Sequence, residues 1–189
     1  MVEQSREGER LPGELSSQNQ NLIEQGIPHE QLVATFRSLI KEQQATYAQL
    51  HAISENPHEP DVLSPETAVR GVLDWYAGSA NKELGGHLFT VRNAWDALNY
   101  DKYEPGTRAE GLAGSILQAY ASATREPTIK LTHPMEVRVL DAFTEAAGVP
   151  HQRGQTEIDI PEKLRNYNRY LMSPEYQAKL TEAKAKRRK

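Results

Sequence analysis

The chain has 189 residues, 38% of them hydrophobic, with 22 Lys or Arg against 26 Asp or Glu and a mean hydropathy of −0.70. That is enough for one domain with some chain left outside its core. It has no Cys, which excludes disulfides and thiolate metal sites, and no apolar run of about 18 residues, which excludes a membrane-spanning helix. The first 149 residues hold 21 acids and 12 bases, whereas the last 40 hold 5 acids and 10 bases, so an acidic body precedes a basic end.

Residues 1–26 are polar and acidic, with Gly8, Pro12 and Gly13, and lack the apolar stretch of a signal peptide. They bury too little to offset their ordering entropy, so the reading is a flexible segment of a cytoplasmic protein. From Ile27-Pro28-His29 a helical stripe begins: Leu32, Phe36, Leu39, Ile40, Gln43, Tyr47, Leu50. It predicts a long helix that stops before Pro57 and Pro60. Ser64-Pro65-Glu66 then spells a helix start, with an N-cap, a proline at the first helical position and an acid in the first turn. Val69, Val72, Leu73 and Tyr76 follow on one face, and Gly78-Ser79 marks a break.

Leu84, Leu88, Val91, Trp95 and Leu98 form the next stripe, too short for a coiled coil and suited to packing against neighbouring helices. After the turn at Tyr103-Glu104-Pro105-Gly106 comes Leu112, Ile116, Leu117, Tyr120, flanked by Ala and by Gly111 and Gly114. Small residues at that density predict the close approach of a second helix. Thr132-His133-Pro134 opens another helix with Met135, Val139, Phe143 and Ala146 inward, closed by Gly148 and Pro150. Residues 151–160 read as a linker or a short extended piece. Pro161 and Ser173-Pro174-Glu175 then open two terminal helices rich in Lys and Arg. The fold class is therefore all-α, an irregular bundle of five to seven helices. Its organisation reads as a flexible segment (1–26), a bundle (27–149), and a linker with a basic helical appendage (150–189).

Chemistry is sparse in this pattern. His29-Glu30 begins the metalloprotease pattern HExxH, but residue 33 is Val. Glu83 and His87 share a helix face at i, i+4, yet a di-metal bundle needs matching ligands on other stripes, and these are missing. No nucleophile elbow, P-loop or dinucleotide fingerprint occurs. No catalytic residue, cofactor or metal is therefore called for. Trp95 continues an apolar stripe and belongs in the core. Trp75, beside Tyr76, lies at the edge of its helix's apolar face and suits the border of a binding groove.

The basic end is the other candidate surface: Arg165, Arg169, Lys184, Lys186, Arg187, Arg188 and Lys189. An acidic body repels phosphate backbones, which argues against a dedicated nucleic-acid fold. The leading expectation is a non-enzymatic helical protein that binds another protein, with the basic tail as a docking or address element. One alternative is a nucleic-acid-associated protein whose tail contacts phosphates. The other is a helical enzyme or ligand-binding bundle with an unrecognised site.

Overall fold

A computed structural model describes residues 26–54, 59–171 and 173–186, and among them seven α-helices and two short strands form an all-α bundle. Apart from Gly26, the N-terminal segment expected to be flexible lies outside the described residues. So do Arg187, Arg188 and Lys189 and the side chains of Arg169 and Lys186. No described helix is long and apolar enough to cross a membrane.

Helix α1 (His29–Ser54) runs 26 residues, about 39 Å at 1.5 Å per residue. Its buried Leu32, Val33, Phe36 and Ile40 face α5 (Pro134–Ala147), where the Phe36 and Phe143 rings stack at 3.8 Å and 6°. The stripe does not stay inside along its whole length. Tyr47 is half-buried and Leu50 is exposed, because α1 runs on beyond the helices that cover its first half.

Helix α2 (Pro65–Ser79) starts as its letters dictate: the Ser64 hydroxyl accepts the Thr67 N–H at 3.2 Å, with Pro65 in the first turn. Val69, Val72, Leu73 and Tyr76 are buried against α3 (Lys82–Asn99), which is capped by Asn81. The α2–α3 connection is tight. A Cβ on Gly85 would lie 2.8 Å from the Ala77 carbonyl oxygen, so only glycine fits there. Leu84, Leu88, Val91 and Trp95 fill the core, and Trp95 meets Phe143 edge-on at 6.4 Å while its indole N–H donates to the Glu66 carbonyl at 3.0 Å.

A 3₁₀ turn (Tyr100–Lys102) leads into α4 (Arg108–Thr124), capped by Thr107. Helix α3 does approach α4, whose Ala113 and Leu117 are fully buried, but the neighbour met at its central glycine is a side chain. A Cβ on Gly114 would meet the Tyr100 hydroxyl at 2.9 Å, and Gly111 faces open space. Leu112, expected inward, is exposed.

Strand β1 (Thr128–Lys130) pairs antiparallel with β2 (Glu157–Asp159), with Ile129 opposite Ile158 and both buried. Within residues 151–160, read as a linker or short extended piece, Glu157–Asp159 is thus extended and paired. It continues into Ile160 and Leu164, which share the core with the helices before it. Helix α6 (Glu162–Leu171) then lies along α4, and α7 (Pro174–Lys186) has α6 as its principal neighbour.

Candidate functional site

Trp75 and Tyr76 sit on the last turns of α2, where α2 crosses α1. Tyr76 is buried and contributes wall, while Trp75 is 48% exposed. Together with Leu39, Leu50 and Val72 they line an open groove of about 640 Å³. One turn beyond Leu50, Ile53 is 82% exposed and prolongs the apolar surface past the groove. The groove's polar margin is Glu42, Gln43, Thr46 and Asp74. Asp74 is already engaged, accepting from Arg70 and Arg92 at 2.8 Å each, which leaves Glu42 as the acid that sets the groove's charge. At Gly71 the approach is close: an added Cβ would lie 3.0 Å from the Gln43 side-chain amide nitrogen.

Behind this wall lies a buried polar network. Asp96 is fully buried, accepts the Tyr103 hydroxyl at 2.8 Å, and has Arg70 Nε 3.1 Å from the same oxygen. Its other oxygen has no hydrogen-bond partner. Burial raises the Asp96 carboxyl to about 6, against the opposing pull of Arg70 and the Tyr103 hydrogen bond. Burial likewise pushes the Tyr103 hydroxyl well above its ordinary value. Through Arg70 on α2 and Asp96 on α3 the network braces the two helices.

The remaining sequence-derived residues lie elsewhere. Arg165, half-buried on α6, and Lys184, exposed on α7, are not among the residues lining the Trp75 groove. Glu83 and His87 do line a common cavity, but the partner of His87 is Glu136, on α5, with Nδ1 to Oε1 at 2.8 Å. Among the described residues no group of three or more acids and histidines is placed to hold a metal ion.

Spacing also concealed a recurring arrangement. Three carboxylates of α5 each meet a histidine from another part of the chain: Glu136 with His87, Asp141 with His151 at 3.0 Å, and Glu145 with His29 at 2.8 Å. The His29 hydrogen bond holds the Glu145 carboxyl below its usual range. In sequence nothing joins them: the three acids, five and four residues apart, do not lie on one helix face, and the partners of Glu136 and Glu145 are 49 and 116 residues away.

The fold and these surfaces define an all-α bundle with an apolar groove on one side and a histidine-lined cavity on another. No protein-family model, curated protein or solved structure matches the chain.

Proposed function

We propose that this protein acts by binding another protein, whose amphipathic, basic helical segment lies in the α1–α2 groove. The observation that supports this most directly is a half-exposed Trp75 standing over an apolar floor and continued outward by Leu50 and Ile53. A large aromatic at the edge of a groove is the residue type that dominates binding energy when it becomes covered. From Leu39 to Leu50 the groove follows α1 for about 17 Å, or three turns of a partner helix. Apolar side chains one turn apart on that helix fill the groove, and a Lys or Arg on its flank meets Glu42. The excess of acids in residues 1–149 speeds the encounter of such a segment. The basic end, carried on a helix that projects from α6, serves as a second docking element.

A 14-residue helical peptide of Leu and Lys, and a Leu/Glu counterpart of equal length, provide the test. The Leu/Lys peptide is expected to shift Trp emission to the blue, with an affinity that weakens as salt rises. Trp75→Phe identifies the reporting ring, and Trp75→Ala weakens binding about tenfold or more while circular dichroism stays unchanged. Equal binding of both peptides, or an unchanged affinity in Trp75→Ala, overturns the reading.

A further inference from the structure

The second cavity, about 590 Å³, opens between the first turns of α3 and α5 and is independent of the Trp75 groove. Its wall includes Leu84, His87, His133, Met135 and Arg138. The protons on its two imidazoles follow from the groups around them. Glu136 is the third helical residue of α5, and its side chain is 4% exposed. Its Oε2 accepts the backbone N–H groups of Thr132 at 2.8 Å and His133 at 3.1 Å. Two backbone N–H groups on one oxygen favour the carboxylate form of Glu136, in which Oε1 is an acceptor as well. The Nδ1 of His87, 2.8 Å away, is therefore the protonated nitrogen. In the neutral ring this leaves Nε2 of His87 with a lone pair.

His133 is arranged the other way round. It caps α5, and its Nδ1 accepts the Met135 N–H at 3.2 Å. Its ring proton is then on Nε2, which is a donor. The two rings lie 4.5 Å apart at 38°. Neighbouring imidazoles thus offer the cavity one acceptor and one donor, and neither role is interchangeable while Glu136 and the helix cap are in place. The same arrangement is wrong for a metal, which needs a lone pair from each ring.

We propose that this cavity binds a small uncharged molecule presenting a hydrogen-bond donor beside a carbonyl oxygen, of which a cyclic amide is the simplest. Its N–H donates to His87 Nε2 and its carbonyl accepts from His133 Nε2–H. Its hydrocarbon part packs on Leu84 and Met135. Charge is not favoured in either sign, because the lining carries one acid, Glu83, and one base, Arg138, whose formal charges cancel. Glu136 is a positioning residue, setting which His87 nitrogen accepts without touching the ligand.

The full chain, titrated with 2-pyrrolidinone and followed by nitrogen-15 correlation spectra of the histidine side chains, tests this. The unliganded spectra are expected to show His87 protonated at Nδ1 and His133 at Nε2. 2-Pyrrolidinone shifts both rings and saturates, and N-methyl-2-pyrrolidinone, which lacks the N–H, binds about tenfold more weakly. His133→Asn keeps a good helix cap but loses the ring donor, and lowers affinity by a similar factor without unfolding the chain. His87→Ala does the same from the other side. Reversed tautomers, equal binding of the two lactams, no saturable binding, or saturation by sodium phosphate instead each overturn the proposal.

Discussion

Helices α3 and α7 are held in opposite ways. Helix α3 contains Gly85, Gly86, Thr90 and Val91, poor helix formers, but buries Leu84, Leu88, Val91 and Trp95 among its neighbours. Helix α7 is built largely of Ala, Lys, Glu, Gln and Leu, good helix formers, with an i, i+4 pair of Glu175 and Lys179 at 2.7 Å, yet its two large apolar residues, Tyr176 and Leu180, are no more than half-buried. One is a helix because the fold requires it. The other is a helix by propensity, and at 13 residues that is marginal. The contrast separates the parts of the molecule that set stability from those left over for contact with something else.

The largest test of this contrast is truncation on each side of it. Trp95→Ala removes a fully buried indole, its edge-on contact with Phe143 and its hydrogen bond to Glu66, and is expected to cost about 3–5 kcal/mol in urea unfolding. Leu180→Ala is expected to cost about 1 kcal/mol or less. Equal losses would show that α7 belongs to the cooperative unit after all.

Next in size is a charge inside α3. The Asp96 carboxyl is raised from 3.8 to about 6 by burial, so between those values the folded chain holds a proton that the unfolded chain releases. Stability from this group is therefore highest at acid pH and falls as pH rises through that window, by about 3 kcal/mol once ionisation is complete. Asp96→Asn removes the slope. Its stability relative to the parent should thus climb by most of that amount from pH 4 to pH 7, superimposed on whatever constant offset Arg70 introduces. A flat difference would mean that Arg70 and Tyr103 fully compensate burial.

What the sequence disclosed about the fold follows the same division. Local signals were legible: Ser64-Pro65-Glu66 starts α2, Gly148 at φ 71° ends α5, and the stripe of α3 places Trp95 inside. Each depends on residues within one or two turns. The β1–β2 pair was hidden because Thr128–Lys130 is too short to read alone and its partner lies 29 residues on, at Glu157–Asp159. Glu83 and His87 were singled out by spacing, whereas the contact that orients His87 comes from Glu136, 49 residues away. Trp75 was legible as an edge position. The opposite wall was not, because a helical stripe in α1 says nothing about where its cover ends, and Leu50 is 62% exposed for that reason.

The smallest expected effect carries the comparison furthest. Two hydrogen bonds at the start of α7 are local: Tyr176 N–H to the Ser173 hydroxyl at 3.3 Å, and the Gln177 side chain to the Leu171 carbonyl at the end of α6 at 2.9 Å. The exposed Glu175–Lys179 pair is screened by salt and spans one turn of α7. Removing residues 173–189 should therefore leave the urea midpoint of the remaining chain unchanged within error, while the helical signal falls by less than the share of those residues, since a helix held by propensity alone is partly frayed. In 1 M salt the fraying should deepen as the ion pair weakens, with the midpoint again unmoved. Loss of stability on truncation would place α7 in the core unit, and a full-strength helical signal from it would mean that another surface covers Tyr176 and Leu180 in solution.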